Sequence, residues 1–192
     1  MQDLSFVKIN SEKLVLRRFE ARDAQALSSY RNDPAVARYQ SWESCSVEEA
    51  RRFVESLEEL VPGTPGQWFQ FAVSRTPSGA LIGDCALRCT EHDPRQAELG
   101  FTMAPAHQGQ GLASEAVRSL VTYAFSTLDV HRVFAIVDIR NVPAQRLLER
   151  LKFRQEGHFV ENAWFKGSWS SEFLYAILRA EWQQKVEGEG GL

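Results

Sequence analysis

Gly109 and Gly111 stand where a turn enters a helix, in Gln108-Gly109-Gln110-Gly111-Leu112-Ala113-Ser114-Glu115. Glycine turns tightly and carries no Cβ to hold a ligand off the backbone. Leu112, Ala116, Leu120, Val121, Ala124 and Phe125 follow at helical spacing. The first N–H groups of a helix lack intrahelical partners and sit at the positive end of its dipole, so this junction suits a phosphate or pyrophosphate. Upstream, Ala97-Glu98-Leu99-Gly100-Phe101-Thr102-Met103 reads as a strand that Pro105 ends. Strand, glycine turn and amphipathic helix make either an anion cradle or a plain connection with two flexible residues. The spacing is neither the dinucleotide fingerprint G-x-G-x-x-G nor a P-loop, since no Gly-Lys-Ser/Thr follows. Other reactive side chains are sparse. His107 and His131 have no metal-ligand constellation around them, so no metal is expected. Cys45, Cys85 and Cys89 are an odd number without metal spacing. Cys85 and Cys89, four apart on one strand face, read as small apolar core.

The elements that must position this junction alternate along the chain without repeats or an internal linker. Leu14 to Leu16 is a first strand, and Ala24 to Tyr30 a helix closed by Asn32-Asp33-Pro34. Ser46-Val47-Glu48-Glu49 is a capping box opening a helix with Ala50, Phe53, Val54, Leu57 and Leu60 on one face. Trp68–Ser74 and Leu81–Cys89 read as a hairpin, followed by a strand over Gln96–Met103. Val133–Ile139 is a β-branched run parallel to that strand across the intervening helix, a βαβ unit. A short helix after Pro143 and strands near 158–165 and 173–178 complete the order. This predicts an α/β domain over residues 1–183 with a mixed sheet, antiparallel in its first half and holding one parallel crossover. Glu187-Gly188-Glu189-Gly190-Gly191 is too polar and glycine-rich to pack, so 184–192 is expected to be a disordered tail.

A chain of 192 residues with 44% hydrophobic content can bury one real core. A net charge of −3 gives no basic footprint for direct nucleic-acid binding. No apolar run approaches the roughly 20 residues that span a bilayer, so no membrane partner is expected. The start, Met1-Gln2-Asp3-Leu4-Ser5-Phe6, lacks the regions of a signal peptide, and the cytoplasm is the expected compartment.

Gln108, Gly111 and Ala113 fit the Gln/Arg-x-x-Gly-x-Gly/Ala signature of the GNAT acetyltransferases, which the chain resembles. Ser11 to Arg17 followed by Asp33-Pro34 is similar to the opening of the branch that includes the ribosomal-protein N-terminal (alanine/serine) acetyltransferases. Ala97 to Phe101 resembles that branch's central strand, and Ala113-Ser114-Glu115-Ala116 its cofactor helix. Asn141-Val142-Pro143-Ala144, leading to Leu151-Lys152-Phe153 and Glu156-Gly157, resembles its second motif. Phe165-Lys166-Gly167, Tyr175 to Leu178 and Glu181-Trp182 resemble its ending, so the likeness runs from residue 11 to 182.

The resemblance implies the GNAT fold, a mostly antiparallel sheet with splayed central parallel strands flanked by helices. It implies acetyl-CoA as co-substrate and a primary amine as acceptor, either a protein N-terminus or a small molecule. It leaves a homodimer open. The pantetheine arm would fill the splay against Phe101, Thr102 and Met103. The pyrophosphate would rest on the amides of Gln108, Gly109, Gln110, Gly111, Leu112, Ala113 and Ser114. Asn141 would either hydrogen-bond the cofactor or cap the helix that Pro143 begins, and Arg146 would face the phosphates or solvent. A protonated amine must lose its proton before it attacks, and a carboxylate within reach serves as base. Glu98 matches the general-base glutamate of several relatives; its bland alternative is an ion pair with an arginine such as Arg95. Met103 N–H would meet the charge developing on the thioester oxygen. Tyr39, Trp42, Trp68 and Phe71 supply aromatic surface for the acceptor, or are simply core.

The chain also departs from the family. Leu148 stands where many relatives place a tyrosine acid, and Ala144 where the ribosomal-protein branch has a serine. Water or Tyr175 is left as acid. Lys152 replaces a usual glycine, and Ser171 a common aspartate. The competing readings are therefore a non-catalytic acyl-CoA sensor and, further off, an unrelated phosphate-binding module.

Overall fold

A computed structural model describes residues 1–189. Eight strands build one sheet in the order β1-β2-β3-β4-β5-β6-β8-β7. They are β1 Lys8–Asn10, β2 Leu14–Arg17, β3 Trp68–Arg75, β4 Leu81–Cys89, β5 Gln96–Met103, β6 Arg132–Asp138, β7 Arg154–Phe165 and β8 Ser168–Leu178. Every neighbouring pair is antiparallel except β5 and β6, which are joined by the crossover helix α4, Leu112–Ser126.

The strands bury alternate residues, so each face meets a different layer. Phe71, Cys85, Leu99, Val133 and Tyr175 point to one face. There they join Leu112, Ala116, Leu120 and Ala124 of α4, Leu147 and Leu148 of α5 (Val142–Arg150), and Trp182 of α6 (Arg179–Glu189). On the other face Ala72 packs with Leu27 of α1 (Ala24–Arg31) and Ala50 and Val54 of α3 (Val47–Ser56), beside the short turn α2, Pro34–Ala37. That second cluster contains no residue of β6, β8 or β7. The α1–α3 layer is therefore centred on β3 and β4.

Two expectations are revised. The strands near 158–165 and 173–178 extend back to Arg154 and Ser168, because they form one long hairpin whose mostly exposed face shows no apolar alternation. The tail expected from residue 184 is helical as far as Glu189, and 190–192 lie outside the described residues. The helix is nucleated from within: Glu181 accepts Leu178 N–H at 2.8 Å, and buried Trp182 packs against Phe125 and donates to Thr122 Oγ1 at 3.1 Å.

Candidate active site

The parallel pairing of β5 with β6 covers only Gln96–Arg132, Ala97–Val133 and Glu98–Phe134. Beyond Glu98 each strand keeps its outer partner, β4 or β8, but the two part from each other. Register decides which groups line the resulting wedge. Ala104 N–H donates to Ile82 O at one end and Thr90 N–H to Gln96 O at the other. Met103 and Ala97 are thereby non-hydrogen-bonded positions toward β4. The main-chain groups of Leu99, Phe101 and Met103 consequently aim into the wedge, whereas those of Thr102 aim at β4. Of the three expected cofactor contacts, Phe101 and Met103 present backbone to the wedge. Thr102 is turned away: its neighbour across β4 is Asp84, and its hydroxyl accepts from Gln40 Nε2 at 3.1 Å.

At the open end of the wedge lies the glycine turn. Gly109 and Gly111 have φ of 70° and 78°, a region that only glycine enters without strain. Gly111 is the N-cap of α4. Among the described residues, the N–H groups from Gly109 to Ser114 donate to no backbone or side-chain acceptor, while Glu115 N–H makes the first helical bond, to Gly111 O. Six consecutive free donors at the head of a 15-residue helix form an anion cradle. Both glutamines brace the turn. Gln108 Nε2 donates to Met103 O at 2.8 Å and Gln110 Nε2 to Ala106 O at 2.9 Å. Glu115 fastens the helix head to the first hairpin, accepting from Ser11 Oγ at 2.6 Å and Lys13 N at 2.7 Å. Arg146 is exposed on α5. Arg150, one turn on and missed by the sequence reading, donates to Ser114 Oγ at 3.4 Å and brings a cation to the cradle.

Glu98 is the last paired residue of β5, at the apex of the wedge. Trp68, Arg88, Glu98 and Phe134 form one row across β3, β4, β5 and β6. The expected alternative partner is corrected here. Arg95 pairs with Asp93 at 2.7 Å, whereas the Glu98 carboxylate is held by Arg88, directly opposite on β4. Sequence proximity suggested Arg95, but an antiparallel pair brings residues ten apart side by side. The Arg88 guanidinium lies over the Trp68 ring, with Cζ 4.8 Å from its centroid. Glu98 keeps 16% of its side chain exposed, on the sheet face opposite α4.

A protein-family model, Acetyltransferase (GNAT) domain, matches residues 13–154. The chain belongs to the GNAT acetyltransferase family. Among its relatives is the "Uncharacterized N-acetyltransferase p20" of Bacillus licheniformis, 31% identical over 90% of this chain and 96% of that protein. The "Spermidine N(1)-acetyltransferase" of Vibrio cholerae is 27% identical over 92% of this chain and 99% of that one. A GNAT-family acetyltransferase structure from Bacillus anthracis superposes with a TM-score of 0.82 at 28% identity, covering 91% of this chain and all of that one. The protein is an acetyl-CoA-dependent N-acetyltransferase.

This GNAT chain offers few proton donors at its site. Leu148 is fully buried, and Ala144 carries no donor. The Tyr175 hydroxyl donates to Glu149 Oε1 at 3.2 Å, and burial pushes its pKa up, so it is a poorer acid than free tyrosine. Asn141 caps α5, its side chain accepting Ala144 N–H at 3.3 Å. Asp138, at the far end of β6, takes hydrogen bonds from Arg140 Nη2 and Ser170 Oγ, both at 2.6 Å. Arg140 above all holds its carboxyl down to about 2.

The four aromatic residues expected at the acceptor side do not share one place. Phe71 is corrected: it points to the α4 face, fully buried against Phe6, Phe69 and Tyr123, because its position alternates with that of Trp68. Trp68 joins the Glu98 row. Trp42 donates to Arg31 O at 3.2 Å and stacks on that guanidinium, which lies between the Trp42 and Phe53 rings. Behind them Tyr30 donates to Asp84, a carboxyl pushed up by burial. Tyr39 donates to Arg140 O at 3.0 Å, and Lys166, at the β7–β8 turn, donates to the Ala37 and Trp42 carbonyls at 2.7 Å each. Segment 37–42 is thus tied at both flanks to the β6–α5 loop and the β7–β8 hairpin. Lys166 carried no sequence signal of this role, since its partners lie more than 120 residues away.

Proposed function

We propose that the enzyme moves the acetyl group of acetyl-CoA directly to a primary amine while both are bound, with Glu98 receiving the amine proton. The observation that carries this reading is the continuity of the β5–β6 wedge with the free amides of the α4 cradle. A pantetheine arm supplies amides that match the main-chain groups of Phe101 and the N–H of Met103, and unpaired main-chain groups need such partners. The pyrophosphate rests on the Gly109–Ser114 amides, with Arg150 and Arg146 as nearby cations. Met103 N–H, aimed into the wedge, meets the negative charge that grows on the thioester oxygen. Glu98, at the apex of the same gap, accepts the proton, directly or through one water. With Leu148 and Ala144 in the acid positions, the thiolate leaves and takes its proton from solvent.

The thiols support direct transfer. Cys45, Cys85 and Cys89 are all buried, and burial raises the pKa of Cys85 and Cys89, so neither offers a thiolate to carry the acetyl group. Initial rates measured over a grid of acetyl-CoA and amine concentrations are expected to give intersecting double-reciprocal lines. Parallel lines, together with an acetylated enzyme seen by mass spectrometry in the absence of amine, would replace direct attack by a covalent route.

A further inference from the structure

Arg31, the last residue of α1, is only 7% exposed, yet its charge is left without an ion-pair partner among the described residues. Its guanidinium lies between two rings, with Cζ 4.3 Å from the Trp42 centroid and 4.2 Å from that of Phe53. Stacking occupies the two faces of a guanidinium and leaves its edge, where the N–H groups point. Among the described residues no acceptor takes a hydrogen bond from that edge, and Nε is buried without a partner. Asp84 senses the charge but does not pair with it. Its carboxyl takes the Tyr30 hydroxyl instead, and burial pushes its pKa up, toward the neutral form. Buried donors without acceptors destabilise a fold, and a ligand that satisfies them removes that penalty. The complementary group is a carboxylate, which meets a guanidinium edge with two parallel hydrogen bonds.

Sheet register relates this edge to the base. Across β5 and β4, Thr102 pairs with Asp84, Gly100 with Ala86, and Glu98 with Arg88. The three rows share one face, because residues two apart on a strand point the same way. At the first row, Tyr30 anchors the end of α1 to Asp84, and Gln40 ties the Trp42 segment to Thr102 at 3.1 Å. The middle row carries the smallest side chains: a Cβ built on Gly100 would meet only Ala86 Cβ, at 3.7 Å. First and third rows are roughly 14 Å apart along the strand. We propose that Arg31 determines acceptor specificity: its edge takes the carboxylate of an amine whose reacting nitrogen lies at Glu98. A spacer of several carbon atoms joins the two groups and crosses the Gly100–Ala86 row. This rests on the proposed acetyl transfer, but its binding half is measured apart from it.

The probes are 4-aminobutanoate, 6-aminohexanoate and 8-aminooctanoate, each matched with the alkylamine of the same carbon count. Each is titrated calorimetrically into the protein saturated with CoA, then assayed for thiol release with acetyl-CoA. In the best-fitting pair the amino acid is expected to bind at least tenfold more tightly than its alkylamine, because the Arg31 donors stay unpaired with the latter. Arg31→Lys keeps the charge but loses the fork, and is expected to abolish most of that preference. Gly100→Val tests the path independently of Arg31. Valine suits a strand, and it is expected to weaken amino-acid binding about tenfold while CoA affinity is kept. Equal affinities within every pair, or no binding of any probe, would overturn the assignment. So would a folded Arg31→Lys protein with its preference intact, or a folded Gly100→Val protein with unaltered affinities. A preference that Arg31→Lys removes, without thiol release from any probe, would uphold the carboxylate site and instead refute the transfer reading.

Discussion

Glu98→Gln is expected to lower turnover at pH 7 by about 10² or more, the usual scale for losing a positioned base. Glutamine keeps the shape and can still hydrogen-bond Arg88, but it takes no proton. Arg88 is 39% exposed, so solvent replaces much of the lost ion pair and the fold should hold. Acetyl-CoA affinity should hardly change, because Glu98 sits at the wedge apex, away from the cradle. The pH profile distinguishes a base from a structural residue. An amine with a pKa of about 10 is almost wholly protonated at pH 7, and its free fraction rises as pH rises. The gap between variant and wild type should therefore narrow toward alkaline pH. Near-normal turnover by Glu98→Gln at pH 7 would remove Glu98 from the reaction and leave orientation of two bound reactants as the source of rate.

The second large effect is expected at Gly111. Gly111→Val should weaken acetyl-CoA binding by tenfold or more, as read by calorimetry. Two costs must be separated. A side chain at φ 78° is strained, typically by about 1–3 kcal/mol, which a domain stable by roughly 5–15 kcal/mol can tolerate. An added Cβ at this position meets no atom within 4 Å, so the branch point itself lies in open space. Lost affinity in a folded variant therefore reports obstruction of the ligand. Gly111→Asn, which tolerates this φ far better, should fold more stably than the valine variant and still bind acetyl-CoA less tightly than wild type. Unchanged affinity in a folded Gly111→Val protein would show that the phosphates do not rest there.

The cradle was readable because its determinants are local. Two glycines followed by 3.6-periodic apolar residues specify a left-handed turn and the head of a buried helix, and β5 and α4 fall where that pattern places them. The capping box at Ser46 was readable for the same reason: Ser46 Oγ accepts Glu49 N–H at 3.2 Å. With one exception, the missed features depend on distant partners. Asn32-Asp33-Pro34 does close α1; what went unread there is local, the Asp33 side chain accepting Ala35 N–H at 2.8 Å to start α2. The Arg88–Glu98 pair depends on strand register, and the inward burial of Phe71 on the phase of β3. The Lys166 ties to segment 37–42 join parts of the chain that meet only in the folded state. Where β5 and β6 part is likewise invisible in either strand alone, since it is a property of their pairing.

We propose that this wedge and cradle together hold acetyl-CoA for transfer to an amine. Its most direct test incubates the purified protein with acetyl-CoA and a panel of primary amines, following free thiol and identifying products by mass spectrometry. Thiol release is expected to depend on both enzyme and amine, with one N-acetylated product formed per thiol. Tight acetyl-CoA binding with no amine-dependent thiol release across the panel would contradict it and leave an acyl-CoA-binding protein without transferase activity.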